Sequence, residues 1–318
     1  MLGLLVQRVA LAVLTVFGVS VLIFVGTEVL PGDIAAALLG QDATPEGIEA
    51  IRRHLRLDDP AIVRYWRWLH GILFGDLGRS MVNNRPVIDV VSFRLLNSLF
   101  LASIVASIAV PLAVALGTVA AIKRNGVLDR SINAMALIAL SLPEFFVGYI
   151  LMLVFAVNLH WLPSLSSVGS DMSFGTRLYA VALPVMTLTL VILAHMMRMT
   201  RAAIIGILGQ PFVEMAILKG IPPWRIVVQH ALPNAVAPIV NVVAFNLAYL
   251  VVGIVVVETV FVYPGLGQLM VDAVSKRDVP VVQVCGLIFG VAYVVLNLLA
   301  DLAVILSNPR LRFARSQR

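Results

Sequence analysis

The sequence predicts an all-α membrane protein with six transmembrane helices. Of its 318 residues, 60% are hydrophobic and 13% are charged, and the mean hydropathy is +1.00. A soluble globular chain of this length is rarely so apolar. A helix needs about 20 apolar residues to cross a bilayer. Six runs meet this length, and the third is interrupted by Glu144: 9–27, 97–122, 131–159, 178–197, 235–257 and 279–300.

The basic residues predict the orientation of these helices. They lie between runs two and three, between runs four and five, and after run six: Lys123, Arg124, Arg130, Arg198, Arg201, Lys219, Arg225, Arg310, Arg312, Arg315 and Arg318. The opposite short loops hold only Arg177, Lys276 and Arg277. Cytoplasmic loops are enriched in Lys and Arg, whereas long loops cross the membrane largely regardless of charge. We therefore expect both termini in the cytoplasm, which requires an even number of spans.

The first run is expected to stay attached, as an N-terminal transmembrane helix over 1–30. It is longer than the core of a signal peptide, and Glu28 and Pro31 precede the nearest small-residue cleavage pattern. A segment over 31–95 follows on the outer side. Thr44-Pro45 and Asp59-Pro60 predict helix starts there. This segment is either a solvated cap or a surface that docks a solute-delivering partner or gates the pathway.

Residues 96–307 form the predicted core, where polar side chains are candidates for function. A carboxylate at membrane depth costs roughly 2.5–3.5 kcal/mol, so Glu144 should face the bundle interior or water. It is either a pathway residue or an acid stabilised by backbone N–H groups at the break beside Pro143. Asn241, Asn246 and Glu258 are further pathway or gate candidates. Hydrogen bonds between helices are the simpler role for the asparagines, and structural pairing is the simpler role for Glu258.

The stretch 211–234 predicts a short helix followed by a turn. Pro211 suits the first position of a helix, and Gly220 suits the left-handed position after its end. Pro223 should open a second helix that Pro233 closes. The first helix is apolar on nearly every side except at Glu214 and Lys219. Such a helix on the cytoplasmic side is expected to insert into a protein partner.

The spacing of Glu214, Ala216, Gly220 and Leu232-Pro233 resembles the EAA loop of ATP-binding-cassette (ABC) importer permeases. The chain departs from the pattern at Met215 and at His230, and a histidine there is familiar in the peptide-permease branch. The resemblance implies that the loop 198–234 carries a coupling helix that docks on an ATPase subunit. The implied coupling residues are Phe212, Glu214, Met215, Ala216, Lys219, Gly220, His230, Leu232 and Pro233. The alternative is an ordinary amphipathic cytosolic loop.

A second resemblance covers essentially the whole chain. Its pieces are Pro31-Gly32-Asp33, Leu57-Asp58, Tyr65-Trp66, 75–80 (Gly-Asp-Leu-Gly-Arg-Ser), Pro86-Val87, 258–261 (Glu-Thr-Val-Phe), 264–267 (Pro-Gly-Leu-Gly), 277–281, 297–301 and Pro309-Arg310. Their order is similar to the B-type subunit of dipeptide, oligopeptide and nickel permeases. It implies a type I ABC importer core over spans two to six, in a bacterial inner membrane, with a basic cytoplasmic tail at 308–318.

The same resemblance implies the partners and the mechanism. The partners are a homologous C-type permease subunit, two ATPase subunits or domains, an exported solute-binding protein and the lipid bilayer. ATP and Mg²⁺ would be used by the ATPases, and no cofactor would be bound by this chain. The implied solute is a peptide, with nickel, glutathione or an opine as alternatives, and transport would proceed by alternating access.

Other classes of function are disfavoured by missing motifs. The sequence has no P-loop, no His-Glu-x-x-His and no Gly-x-Ser-x-Gly, so we expect no enzyme activity in this chain. Its five histidines lack ligand spacing, and Cys285 is its single cysteine. The basic residues flank spans and form no stripe with aromatics, which argues against nucleic acid. An ion-coupled secondary transporter with Glu144 as proton carrier remains a rival, although internal repeats typical of that class are not evident.

Overall fold

A computed structural model describes residues 2–29, 44–54, 58–169 and 171–307. All regular elements in these residues are helical. The α-helices are α1 Leu2–Val29, α2 Pro45–His54, α3 Ala61–Leu73, α4 Val87–Ile122, α5 Val127–Ser141, α6 Glu144–Leu151, α7 Phe174–Ala180, α8 Ala182–Leu208, α9 Pro211–Leu218, α10 Pro223–Arg225, α11 Leu232–Val260, α12 Leu266–Ser275 and α13 Val279–Ser307. Met152–Asn158 continues α6 as a π-helix, and a second π-helix, Ile226–Ala231, joins α10 to α11.

The described residues hold five or six membrane-length segments, and the number is the predicted six when the bent pair α5–α6 counts as one span. Five straight segments are long and apolar enough to cross a membrane, and the pair α5–α6 qualifies together although it bends by 102°. Near the start of this pair, Asp129 binds Arg201 close to the end of α8. Beyond its other end, the Ser166 amide donates to the Phe261 carbonyl, just past the end of α11. The bent pair therefore runs from one end of the bundle to the other.

Helix α8 forms the centre of the bundle because α4, α5, α6 and α11 all pack on it. The α4–α8 contact is close: a Cβ at Gly117 would lie 2.7 Å from the Met197 carbonyl oxygen. Gly117 therefore lets the two helices approach closely. Small residues at such crossings let helix backbones approach each other.

Helix α1 packs on α13 at the side of this bundle. A Cβ at Gly290 would lie 2.6 Å from a methyl group of Val19, which makes this a close crossing as well. Arg8 and Asp301 join the same two helices by an ion pair of 2.7 Å. Asp301, near the end of its span, thus has a structural partner on the neighbouring helix.

Two predicted helix ends are wrong. The fourth span was expected to end at 197, but α8 continues to Leu208. Arginine is a good helix former, and Asp129 neutralises the charge of Arg201. Arg198 and Arg201 therefore do not end the helix. Pro233 was expected to close a helix, yet it lies in the first turn of α11. The preceding π-helix has i→i+5 bonds, which accommodates a residue without an N–H.

The described residues of the segment 31–95 include the two predicted helices, α2 and α3. Helix α3 packs on α1, where the Tyr65 and Ser20 hydroxyls share a hydrogen bond of 2.9 Å. Arg64 of α3 also forms an ion pair with Glu28 of α1. The motifs Pro31-Gly32-Asp33 and Pro309-Arg310, the residue Leu57 and the tail 308–318 lie outside the described residues. Helix α4 begins at Val87, before the predicted start of the core at 96.

Candidate functional site

Helix α9 is held to the bundle by its inner face. Val213 and Ala216, three positions apart, are 1% and 5% exposed and pack against Ile226 of the following π-helix. Leu208, the last residue of α8, contacts the same cluster. Residues three and four apart share one face of an α-helix, so this spacing fixes which side of α9 points inward. The helix is thereby packed against the ends of two membrane-spanning segments.

The turn after α9 has the hydrogen bonds of a Schellman motif. The Ile221 amide donates to the Ala216 carbonyl at 3.2 Å, and the Gly220 amide donates to the Ile217 carbonyl at 2.9 Å. Gly220 has φ +73°, which confirms its predicted left-handed conformation. A Cβ there would meet nothing within 4 Å. Backbone conformation alone, and no close packing, therefore favours glycine at this position.

The outer face of α9 and the segment after it is apolar and open. Leu218 is 80% exposed and Met215 is 54% exposed. The other exposed large apolar side chains of this face are Phe212, Ile217, Trp224 and Val228. Within the described part of the chain, the side chains of Glu214 and Lys219 form no ion pair. A cluster of exposed apolar residues with unpaired charges among them is typical of a protein-docking surface.

A second site lies at the bend between α5 and α6. A cavity of about 340 Å³ is lined by Glu144 together with His195 of α8 and Tyr249 and Gly253 of α11. A Cβ at Gly253 would approach the Glu144 carboxylate oxygen to 2.9 Å, so the glycine leaves room for the acid. The rings of His195 and Tyr249 are 5.8 Å apart. Three polar side chains from three helices therefore converge at the middle of the bundle.

Two protein-family models match this chain and together cover most of it. A family described as binding-protein-dependent transport system inner membrane component matches residues 113–313, and the N-terminal part of the same component matches residues 1–104. The chain belongs to this family. It is a multi-pass inner-membrane permease of an ABC importer, and thus a transport protein and not an enzyme.

Relatives of the permease match over nearly their whole length. The glutathione transport system permease protein GsiC of Pectobacterium atrosepticum is 38% identical over 98% of this chain and all of its own. The protein of the same name from Escherichia coli K12 is 36% identical over the same shares. A probable peptide ABC transporter permease, y4tP of Sinorhizobium fredii, is 34% identical over 93% of this chain and 94% of its own.

The predicted coupling residues of this permease fall into two groups. Six of the nine are exposed, as a docking role requires: Phe212, Glu214, Met215, Lys219, Gly220 and Pro233. Ala216 points inward, and His230 is half-buried. Leu232 packs against a cluster inside the chain formed by Ala121, Ile204 and Ala235. The prediction also left out Ile217, Leu218, Trp224 and Val228, whose apolar character in a loop beside charged residues was the available signal.

The asparagine candidates of the permease lie between helices. Asn246 is 1% exposed and donates to the Val242 carbonyl at 2.8 Å, with the sulfur of Met199 from α8 at 3.7 Å. Asn241 lines a cavity of about 540 Å³ beside the Arg8–Asp301 ion pair. The contact of Asn246 with Met199 agrees with an interhelix role, whereas Asn241 is exposed, and the part of both in the pathway stays a prediction.

Glu258 of the permease is fully buried and holds a loop together. Its carboxylate accepts hydrogen bonds from the Ser98 hydroxyl, from the Gly267 amide at 2.7 Å and from the Gln268 amide at 3.2 Å. It therefore caps the first turn of α12, where free amides and the helix dipole favour an anion. The structural pairing predicted for this acid is confirmed, and its role as a gate stays a prediction.

A polar clamp that the sequence did not predict lies at the end of the permease opposite to Glu258. Arg201 binds Asp129 with two bonds, of 2.6 and 2.7 Å. The same carboxylate accepts from the Asn125 amide at 2.9 Å and from the Asn133 side chain at 2.7 Å. Bidentate arginine pairs fix geometry as well as charge. The clamp joins the α4–α5 loop to α8. Asp129 and Arg201 are 72 positions apart, and no local sequence motif indicates that they pair.

Proposed function

We propose that this chain is the B-type permease subunit of an importer for peptides or a related zwitterionic solute such as glutathione. It would form one half of the pathway together with a homologous C-type subunit. An exported binding protein would deliver the solute, and two ATPase subunits or domains would hydrolyse ATP with Mg²⁺. The chain itself would bind no cofactor. The observation that carries this proposal is the exposed apolar face of α9, together with its firm attachment to α8 and α11.

The coupling mechanism follows from that attachment. When ATP closes the ATPase pair, α9 would move with the surface on which it docks. Because Val213 and Ala216 pack on Ile226 and Leu208, this movement would pass to the ends of α8 and α11. These two helices line the Glu144 cavity at the middle of the bundle. Interfaces of packed helices switch between discrete arrangements, which supports alternating access driven from this end.

The orientation is proposed from charge. The α4–α5 loop and α9 lie on the side rich in Lys and Arg, which is the cytoplasmic side by the positive-inside rule. Both termini and the tail 308–318 would then be cytoplasmic, and α2 and α3 would lie outside. In this orientation α9 faces the compartment that holds ATP. The outer helices face the compartment from which the solute arrives.

The solute class is proposed from the relatives and from the polar groups of the pathway. The relatives are named for glutathione and for peptides, which share an α-ammonium group and carboxylates. Glu144 supplies a negative charge in the central cavity, which suits an ammonium group. Nickel and opines are the alternatives. An ion-coupled transporter that uses Glu144 as proton carrier would leave the exposed face of α9 without a role.

The test is transport by the assembled complex in vesicles. The chain is purified with its companion permease and ATPases, and the loaded binding protein is added on the outer side. We expect glutathione or a dipeptide to be taken up only with ATP, and the loaded binding protein to stimulate ATP hydrolysis. Uptake that continues when the ATPases are omitted would overturn the proposal and favour the ion-coupled transporter.

A further inference from the structure

A second cavity lies beside the Glu144 cavity along α8. The second cavity measures about 450 Å³ and is lined by Asn133, Arg198 and Arg201 among others. Leu140 and His195 line both cavities, so the two are neighbours that share a wall. Ligand pockets commonly measure about 300–1,000 Å³, and each cavity falls in that range. We call the two cavities together the groove. It runs along α8 from His195 towards Arg201, the residue that binds Asp129.

The charges in this groove are separated along its length. Glu144 lies at the inner end, where Tyr249 lines the same cavity. Arg198 lies one helical turn beyond His195, about 4.5 Å further along α8. Arg201 is neutralised by Asp129, whereas Arg198 is exposed and forms no ion pair with any described residue. The groove therefore carries the Glu144 carboxyl group at one end and the unpaired Arg198 guanidinium at the other.

We propose that this groove is a solute subsite that receives a zwitterionic peptide in one orientation. The peptide ammonium lies against Glu144 and Tyr249, and its carboxylate lies against Arg198. His195 and Leu140 line the groove between the two ends. The inference rests on the proposed peptide transport and adds which residues of this chain contact the solute.

The chemistry of the two ends selects this occupant. An extended dipeptide separates its terminal charges by roughly 7 Å, so its ammonium and its carboxylate can meet two different side chains of the groove. Arginine binds carboxylates with two parallel hydrogen bonds, and a carboxylate at membrane depth is stabilised by an opposite charge. A purely cationic solute such as nickel would leave Arg198 without a partner. A neutral solute would leave both charges unpaired.

A cysteine in the groove tests the proposal by protection from alkylation. Ala202→Cys is the reporter because Ala202 is small and exposed, lines the second cavity and lies one turn from Arg198. The native Cys285 is fully buried and leaves the background low. Ser275→Cys, exposed at the last residue of α12, is the matched control outside the groove. The probes are alanyl-alanine, its N-acetyl form and its C-terminal amide, applied to the complete complex in vesicles with a water-soluble thiol reagent.

We expect alanyl-alanine at about ten times its dissociation constant to slow alkylation of the reporter about tenfold, by simple occupancy. The two blocked peptides should not slow it, and Ser275→Cys should react equally with and without peptide. Glu144→Gln and Arg198→Gln should each remove the protection, whereas Glu144→Asp and the outer-segment control Glu49→Gln should keep it. Arg198→Gln keeps the test informative if Glu144→Gln fails to assemble, because Arg198 is exposed and unpaired.

Equal protection by all three peptides would overturn the subsite, as would wild-type protection in both charge variants. A reporter that is unreactive even without peptide would mean that the companion subunit covers the groove, which also overturns it. Uptake of alanyl-alanine by the wild-type vesicles is measured in parallel. Uptake without protection overturns the subsite alone. The absence of ATP-dependent uptake for every peptide, glutathione included, overturns the proposed function and the peptide assignment with it.

Discussion

The roles of Glu258 and Glu144 could not be distinguished from the sequence alone. Glu258 and Glu144 both interrupt apolar stretches, and the sequence made both candidates for the pathway. The structure separates them: Glu258 is enclosed by donors from α4 and α12, and Glu144 faces a cavity. The difference depends on Ser98, which lies 160 positions away from Glu258. Distances of that kind have no signature in local composition or periodicity.

The capped carboxylate of Glu258 predicts that Gly265→Ala destabilises the permease. A Cβ at Gly265 would overlap the Glu258 carboxyl group, so either the cap of α12 or the loop must shift. Overpacking of this kind costs roughly 1–3 kcal/mol. The measurement is the thermal stability of the purified complex. Gly175→Ala is the control, since its Cβ would meet nothing within 4 Å. Equal stability of the two variants would show that the loop tolerates the extra carbon.

At the scale of helices, local signals predicted α9 better than α8. Pro211 and Gly220 mark the start and the turn of α9 by their own backbone preferences, and the structure has both features. The end of α8 was misplaced because Arg198 and Arg201 suggested the membrane surface. The clamp with Asp129 removes the charge of Arg201, and α8 continues to Leu208. The predicted loop 198–234 therefore begins within a helix.

The turn after α9 predicts that Gly220→Ala weakens the attachment of the ATPases. A residue with a Cβ costs roughly 1–2 kcal/mol in the left-handed region, so the docking face should lose its position. We expect fewer ATPase subunits to co-purify and uptake to fall by about tenfold, which corresponds to about 1.4 kcal/mol. Gly209→Ala in the neighbouring loop is the matched control, because its Cβ would make ordinary contacts at 3.7 Å.

Glu214→Lys tests the charged part of the same face. The acid is exposed and unpaired within the described residues, and a cation on the ATPase is its expected partner. Reversal of the charge should reduce ATPase co-purification while membrane insertion and solute capture by the binding protein remain normal. If uptake stays near wild type in both Glu214→Lys and Gly220→Ala, α9 is not the coupling helix. If uptake is lost with full ATPase retention, the role of this stretch moves to the pathway.

For the whole molecule, hydropathy was sufficient to predict the number of spans. Each predicted run overlaps a membrane-length helix or the bent pair over most of its length, although the run 178–197 begins in α7 and only then enters α8. The 102° bend was not predictable in size, since Pro143 permits a break without setting its angle. The bent pair nevertheless joins the two ends of the bundle. When the bent pair counts as one span, the described residues hold six spans, which is the even number that the charge asymmetry requires.

That even number leads to a prediction about which side each segment occupies. Phe74→Cys, at the end of α3, and Lys219→Cys, after α9, place exposed thiols at opposite ends of the bundle. In intact cells a membrane-impermeant maleimide should label the first and spare the second, and the buried Cys285 should add no background. Lys219→Cys should react once the membrane is opened, which shows that the thiol itself is accessible. The reverse pattern would place α9 outside, where it could not meet an ATPase, and would remove the basis for coupling through this helix.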